Sequence, residues 1–330
     1  MWARDSLPPA MIVFLVLDII AVGLRVFVRT HMSKSFGYDD WAMSLALAGY
    51  IALCALTFTS LNNGYGSDTI EPGWDIQKGV KYFVASTLAY VIVVFVAKIS
   101  VALVLYRIAV TNKPIRALLI VSMVILTIWT TVTTLIVAFQ CTPLPVAWGE
   151  GTGTCLPAYV LANTGYSISA MDIASSFLYA GLPILLLKGV QLSSRMKASV
   201  IIVLGLGIVS SIATVIRLKY LIDVAKLTSA TGVEASNAYL TTFVYSVTEL
   251  GLTIFTASLA ALRPLLKYVP WGNDSTQGYA SSSKKKSELR SNMGPAVKLD
   301  DLETTPSQEH IIPQGHIQKE TQYRVEYTNV

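Results

Sequence analysis

Six ionisable side chains lie within long apolar stretches of this 330-residue sequence: Asp18, Asp172, Glu249, Arg25, Lys98 and Arg217. An unpaired charge near the centre of a bilayer costs at least about 3 kcal/mol, so such side chains face the interior of a helix bundle and pair or contact water. Two interpretations follow. The charges form a polar ligand pocket or ion relay, or they form interhelical pairs that only fix the helix register.

Helical geometry gives each charge a depth. A rise of about 1.5 Å per residue places the three acids roughly 15 Å from the outer ends of their stretches, with Arg217 nearer the outer face and Lys98 well inside. We therefore expect Asp172 to pair with Arg217, and Lys98 to snorkel inward or to pair with Asp18 or Glu249. The candidate intramembrane polar network comprises Asp18, Lys98, Asp172, Arg217 and Glu249.

A second charged group surrounds the segment FGYDDWA, in which Asp39 and Asp40 begin the second apolar stretch. Carboxylates at a helix N-terminus are stabilised by the helix dipole. Three cations are expected at the same level, so the candidate cytoplasmic-face clamp comprises Arg25, Arg29, Asp39, Asp40 and Arg107. A structural clamp is the preferred interpretation, and a switch whose charge pairs exchange on partner binding is the alternative.

The segment CTPLPVAWGEGTGTC places Cys141 and Cys155 in one loop between two apolar stretches. The loop is expected to lie outside the cell, where an oxidising environment favours a disulfide. Closing a loop of about 15 residues stabilises a fold by roughly 3 kcal/mol through chain entropy. We expect this loop to cap the outer end of the bundle, with Trp148 at the interface or over the mouth.

The sequence contains no signature of an enzyme, a metal site or a cofactor site. It has no GxSxG, phosphate loop or metal-ligand helix pattern, and its three histidines lie outside the apolar stretches. Covalent retinal requires a buried lysine, and the last stretch, Ala238 to Leu262, has none. The cations flank the apolar stretches, which argues against nucleic-acid binding. We expect no enzymatic activity, no metal and no cofactor.

The elements that must position these residues are membrane spans. Hydrophobic residues make up 53% of the sequence and charged residues only 14%, with a mean hydropathy of +0.55. Runs near or above about 18 apolar residues indicate bilayer-spanning helices. Seven are predicted: Pro9 to Val28, Asp40 to Leu61, Val80 to Tyr106, Ile115 to Phe139, Asn163 to Leu187, Ala198 to Ile222, and Ala238 to Leu262.

The distribution of cations orients these spans. Eleven flank the ends assigned to the cytoplasm and five the other ends, which predicts an all-α seven-transmembrane helix bundle with its N-terminus outside and its C-terminus cytoplasmic. The eleven are Arg25, Arg29, Lys34, Arg107, Lys113, Arg116, Lys188, Arg195, Lys197, Arg263 and Lys267, and the five are Arg4, Lys78, Lys81, Lys219 and Lys226.

Three segments result from this assignment. Residues 1–8 form a short extracellular N-terminus, residues 9–268 the membrane domain, and residues 269–330 a disordered cytoplasmic tail without apolar periodicity. Lys284, Lys285 and Lys286 could contact anionic lipid, and the tail could bind a cytoplasmic partner. A solvated tail without a specific partner is the simpler interpretation.

An ordered set of motifs resembles a known family. It comprises GLRVFVRT, GYDDWAMSLA, KISVALVLYRI, the Cys-Pro-Trp-Gly-Cys loop, Asp172 with LPILLL, SSIATVIRL and TELGLTIFTASLAALRPL. The set resembles the fungal rhodopsin-domain family of integral membrane proteins over about Gly23 to Leu265. The family residues that match are Arg25, Asp39, Asp40, Lys98, Arg107, Cys141, Trp148, Cys155, Asp172, Arg217, Glu249 and Arg263.

The resemblance implies a seven-helix membrane protein. One branch of the family is receptor-like and carries an extracellular CFEM domain, and other members occur in mycotoxin gene clusters. This chain has only about seven residues before its first span, so we expect no CFEM domain. It also lacks DRY and NPxxY signatures, and Tyr106-Arg107 is the nearest remnant. Coupling to a G protein is therefore not implied.

The sequence as a whole favours a multi-pass, receptor-like protein of the plasma membrane, with an endomembrane as the alternative location. Its expected partners are the lipid bilayer and an unknown small-molecule or lipid ligand that enters under the Cys141–Cys155 loop. Association with a secondary-metabolite gene cluster follows from the resemblance. The alternatives are a transporter or permease that uses the midplane acids, and a non-signalling structural membrane protein.

Overall fold

The computed structural model describes residues 2–67, 72–109, 112–187, 205, 207, 209, 212–222 and 232–262. Several predictions fall outside these residues: the tail 269–330, the first part of the sixth span, and the cations Lys188, Arg195, Lys197, Lys226, Arg263 and Lys267. The described part is almost entirely helical. Its helices are α1 (Trp2–Phe27), α2 (Tyr38–Asn62), α3 (Ile76–Ile108), α4 (Lys113–Ala138), α5 (Ala158–Leu187), α6 (residues 212–222) and α7 (Gly232–Ala261).

Within the described residues, five helical segments are long and apolar enough to cross a membrane. They are Trp2–Met32, which includes the π-helical turn Val28–Met32 after α1, and Tyr38–Asn62, Ile76–Ile108, Lys113–Ala138 and Ser236–Ala261. Each coincides with a predicted span. Large apolar side chains remain exposed along single helix faces, as Ile12, Val16 and Ile20 do on α1. An exposed apolar face of this length is suited to lipid.

The first helix begins earlier than the sequence pattern indicates. The first predicted span starts at Pro9, and proline generally favours the first turn of a helix. In the structure α1 begins at Trp2 and contains Pro8 and Pro9, so residues 2–8 continue the helix. Ala3, Leu7 and Met11 follow one another at four-residue spacing and are buried in the core. Their tertiary packing outweighs the local preference of proline, and the extracellular position of this end stays a prediction.

Local signals set the starts of the next helices. The Gly37 amide donates to Asp40 Oδ2 (3.0 Å), which caps α2 at its N-terminus. The Lys78 amide donates to the side chain of Asp75, the residue before α3. Pro114 lies in the first turn of α4. Backbone N–H groups in a first turn have no intrahelical acceptor, so proline costs the helix no hydrogen bond there.

The main core lies between α1, α2, α3 and α7, where α1 packs on α7 and α2 packs on α3. Glycine permits both close approaches. A Cβ atom on Gly251 would come within 2.6 Å of Phe14 Cβ, and one on Gly49 within 2.5 Å of a Val93 methyl group. Small residues let membrane helices approach closely where lipid provides no hydrophobic drive for association.

Candidate functional site

The loop after α4 is closed by a disulfide between Cys141 and Cys155, which confirms the predicted bond. The two cysteines pair in a short antiparallel ladder, Cys141–Thr142 with Thr154–Cys155. Between these strands the chain forms a 3₁₀ turn, Leu144–Trp148. Lys81 Nζ of α3 lies 5.2 Å from the centre of the Trp148 ring, a cation–π contact that ties the loop to the bundle.

A cavity of about 450 Å³ lies beneath this disulfide loop. Helices α3, α5, α6 and α7 contribute its walls, and Cys141 and Cys155 contribute to its lining. Aromatic rings line one side, with Phe243 5.3 Å from Phe83 and 6.1 Å from Tyr90 between ring centres. Among the described residues that line the cavity, Arg217 is the one charged side chain.

Arg217 is buried and is held by three helices. Its Nη2 donates to Ser169 Oγ of α5 at 2.9 Å, and its Nη1 donates to the Tyr90 hydroxyl of α3. Glu249 Oε2 of α7 lies farther away, 3.6 Å from Nη1. The guanidinium is therefore hydrogen-bonded to two hydroxyl groups that line the cavity, and its interaction with Glu249 is a looser ion pair.

Lys98 and Asp172 form the ion pair behind this arginine. Lys98 Nζ lies 2.5 Å from Asp172 Oδ1. The hydrogen bonds of the ammonium go to Asp172 O and Ser175 Oγ, both at 2.7 Å, and to Ser176 Oγ at 3.0 Å. An ammonium has three donors, so the Asp172 carboxylate is held to Lys98 mainly by charge attraction, and its side chain also interacts with that of Glu249.

The observed pairing differs from the one that the depth count predicted. Asp172 pairs with Lys98, and Arg217 pairs with Glu249, although the charges of Asp172 and Arg217 also interact. The predicted inward snorkelling of Lys98 is wrong. Counted from the observed starts of their helices, Ala158 and Ile76, Asp172 and Lys98 still differ by about 12 Å in depth. A depth count treats each helix as straight and perpendicular to the membrane, so it does not determine which charges on neighbouring helices meet.

Asp18 does not join this group. It is fully buried on α1, next to Tyr50 and Cys54 of α2, and neither of its carboxylate oxygens has a hydrogen-bond partner among the described residues. The predicted five-residue network is therefore a cluster of four, which we call the floor cluster: Lys98, Asp172, Arg217 and Glu249. The sequence gives the depth of Asp18 but not the direction in which it faces.

A smaller cavity of about 40 Å³ adjoins the floor cluster between α3, α4 and α5. Lys98 and Asp172 line it, and Tyr90 lines both this cavity and the larger one. The lining is mostly apolar, with Lys98, Asp172 and the hydroxyl groups as its polar groups, and a space of this size has room for about one water molecule. A water molecule there would lie beside the Lys98–Asp172 pair.

All five predicted clamp residues come together at the opposite ends of α2 and α3 from the cavity. The fully buried Arg25 donates through Nε to Asp40 Oδ1 (2.8 Å), and through Nη2 to Asp39 Oδ2 (2.9 Å). Its Nη1 donates to Ala257 O of α7 at 3.0 Å. Arg29 lies 3.8 Å from both carboxylates, and Arg107 lies 3.4 Å from Asp39 Oδ1.

Sequence reasoning missed two residues that hold Arg217, namely Tyr90 and Ser169. A usable signal was present. Tyr90 precedes Lys98 by eight residues, and Ser169 precedes Asp172 by three, which places each polar side chain on the same helix face as a buried charge. Among the described residues, no group of three His, Cys, Asp or Glu side chains could hold a metal ion.

These features define a class: a multi-pass helical membrane protein with a cavity of ligand size above a buried charge cluster. The chain belongs to the fungal rhodopsin-domain family, because the sequence model of the fungal rhodopsin domain matches residues 24–268. It is 24% identical over 276 residues to the polyenoic acids biosynthesis gene cluster protein Ba17b of Metarhizium anisopliae, an alignment that covers 78% of this chain and 72% of that protein. No solved structure matches the chain.

Proposed function

We propose that this chain is a seven-span, receptor-like membrane protein that binds a small molecule in the cavity beneath the disulfide loop. One observation carries the proposal: the cavity of about 450 Å³ has aromatic walls and a polar base at Arg217. Small-molecule sites usually measure about 300–1,000 Å³ and combine apolar walls with a few placed polar groups. The protein has no enzymatic activity and no resident cofactor in this proposal.

The proposed topology places the N-terminus outside, the C-terminus in the cytoplasm, and the cavity mouth outside the plasma membrane. The distribution of cations supports this orientation. Helices α5 and α6 complete the seven spans. The sequon Asn273-Asp274-Ser275 then lies in the cytoplasm and stays without glycan. Glycan on Asn273, detected by a shift in mobility after glycosidase treatment, would reverse the orientation.

Two helices connect the cavity with the clamp, which supports a receptor role. Helix α3 carries Tyr90 at the cavity and Arg107 at the clamp, about 25 Å apart along its axis. Helix α7 carries Glu249 in the floor cluster and Ala257, whose carbonyl accepts from Arg25. A ligand that shifts Arg217 and Glu249 would act on both helices and so on the cytoplasmic face, where a partner would bind.

A transporter is the second candidate, because the small cavity beside Asp172 adjoins the larger one through Tyr90. A hydrated path through buried acids is a feature of ion relays. Against it, seven spans do not divide into two inverted halves. The relative's name links that protein to a biosynthesis gene cluster, so we also propose such a setting for this chain, in which a non-signalling structural role would be the third candidate.

The proposal can be tested on the full chain purified in lipid nanodiscs from its producing cells. Native mass spectrometry should detect a co-purified small molecule with the wild type, and its loss in Val84→Trp, which fills the cavity. The same change at Val121, an exposed residue of α4, is the matched control. Equal retention by both variants would exclude the cavity. Flux of the retained molecule across vesicles would indicate a transporter, and recruitment of a cytoplasmic protein a receptor.

A further inference from the structure

The side chains at the base of the cavity indicate which chemical class of ligand it accepts. We propose that the cavity binds an amphiphile with one carboxylate group, whose head contacts Arg217 and Tyr90 and whose apolar tail lies along the aromatic wall towards the disulfide loop. This inference rests on the proposed function and makes it more specific, because it names the ligand class for the same cavity.

The charge of the lining is the first argument. Arg217 is the one charged side chain among the described residues that line the cavity, and no carboxylate lines it there. The guanidinium is planar and presents its donors in a fork that matches the two oxygens of a carboxylate. The lining therefore attracts an anion and repels a cation, and a neutral head would leave the arginine without a charged partner in the cavity.

The hydroxyl groups beside Arg217 are the second argument. Ser169 Oγ donates to Gly165 O at 2.9 Å and accepts from Arg217, so it orients the arginine. The Tyr90 hydroxyl accepts from Arg217 as well and has a proton that it can donate. A carboxylate at this position would receive hydrogen bonds from the guanidinium and from Tyr90.

The looseness of the Arg217–Glu249 pair is the third argument. Glu249 Oε2 lies 3.6 Å from Nη1 and has no hydrogen-bond partner among the described residues. The arginine is thus oriented by hydroxyl groups rather than by its acid. With four ionised groups the floor cluster is neutral, so its preference for an anion comes from position: Arg217 lines the cavity, and neither Asp172 nor Glu249 does.

The shape of the cavity accounts for the tail. Along α5 the lining extends from Ser169 to Leu161, about 12 Å. Tyr65, Phe83 and Phe243 line the same space, and the rings of Tyr65 and Phe83 stack with their centres 4.3 Å apart. An aliphatic chain would bury its surface against these rings, while its head stays at Arg217.

Equilibrium binding of tritiated decanoate to the full chain in nanodiscs tests the inference, with empty nanodiscs as the blank for partition into lipid. We expect saturable binding that unlabelled decanoate displaces at least tenfold better than decan-1-ol or decyltrimethylammonium. Unlabelled carboxylates from hexanoate to tetradecanoate are compared as competitors, which shows the chain length that the cavity prefers. Val84→Trp should abolish the saturable component, and Val121→Trp should preserve it.

Two variants examine the head site. The double change Arg217→Gln with Glu249→Gln removes both partners of a buried pair, which is often nearly neutral for folding. It should bind decanoate no better than decan-1-ol. Tyr90→Phe leaves all four charges in place and should weaken decanoate several-fold with little effect on decan-1-ol, which keeps the test valid if the double variant does not fold.

The outcomes separate the inference from the proposed function. If decan-1-ol displaces the label as well as decanoate does, or if the head-site variants keep the preference for the acid, the carboxylate assignment is wrong while cavity binding stands. The assignment is also wrong if carboxylic acids of every chain length fail to bind saturably, or if their saturable binding persists in Val84→Trp. The proposed function then depends on the mass spectrometry comparison, which uses no fatty-acid probe.

Discussion

Arg25 and Arg217 are both buried arginines beside two carboxyl groups, and their surroundings differ. Arg25 makes two charge-assisted hydrogen bonds of 2.8 and 2.9 Å and a third to a backbone carbonyl. Arg217 is bonded to two hydroxyl groups, and its nearest carboxylate oxygen is 3.6 Å away. Each carboxylate oxygen of Asp39 and Asp40 contacts an arginine or a backbone amide. Near Arg217, by contrast, Glu249 Oε2 has no hydrogen-bond partner among the described residues.

This difference distinguishes a group that fixes structure from one that can respond. A buried pair with complete hydrogen bonds holds one arrangement, because any change leaves a desolvated charge. The floor cluster has a looser ion pair and adjoins two cavities. It can therefore take up a ligand or water without leaving a buried charge unpaired. We therefore expect substitutions in the clamp to lower the free energy of unfolding. Substitutions in the floor cluster should mainly change ligand binding.

The largest expected effect is that of Arg25→Met. The substitution leaves Asp39 and Asp40 without their central cation and should lower the free energy of unfolding by about 3–5 kcal/mol. Chemical unfolding in detergent, followed by tryptophan fluorescence, measures it. Arg29→Met is the matched control, since Arg29 lies 3.8 Å from both carboxylates and should cost less than about 1 kcal/mol. Equal losses would mean that no single arginine organises the clamp.

The disulfide loop closes the cavity end and should be next in effect. Cys141→Ser and Cys155→Ser should each lower the free energy of unfolding by roughly 3 kcal/mol. The double variant should be no worse than either single one, because all three remove the same bond. The unfolding midpoint of the three variants decides this. Additive losses would show that the two cysteines stabilise the fold independently of their bond.

Lys98→Met tests the floor cluster with a smaller expected loss, about 1.5–3 kcal/mol. The remaining Asp172 charge still has Arg217 nearby and a small cavity that can take up water. Lys98→Met with Asp172→Asn should recover most of this loss. A loss as large as that of Arg25→Met, without recovery in the double variant, would contradict the distinction between the two charge groups.

The smallest effect is expected at Asp75, an exposed reference for the buried groups. The Lys78 side chain and amide donate to its carboxylate and hold its pKa below the usual value. A lowered pKa in the folded state adds stability above the unfolded pKa of about 3.9, and this is lost as the pH falls through the folded value. Asp75→Asn should remove a slight fall in melting temperature below about pH 4. A variant with an unchanged acid profile would show that this pair contributes nothing.

The sequence by itself determined the class of protein and which residues form the disulfide and the buried charge groups. Apolar runs predicted the five spans that the structure contains in its described part, because helices in lipid must satisfy their own backbone hydrogen bonds. Two cysteines in one loop on the predicted outer side predicted the disulfide. The FGYDDWA segment predicted the two acids of the clamp, and the expected membrane level added its three arginines. These features depend on local sequence or on a shared membrane level, and both can be read along the chain.

Only the tertiary structure decided which charges meet. The depth count paired Asp172 with Arg217, yet Asp172 pairs with Lys98 in the structure. Asp18 faces Tyr50 and Cys54 instead of the floor cluster, and the cavity arises where several helices and the disulfide loop converge. A sequence gives the height of a side chain on its helix. Its partners depend on how neighbouring helices are rotated and displaced, which packing among distant residues such as Gly251 and Phe14 sets.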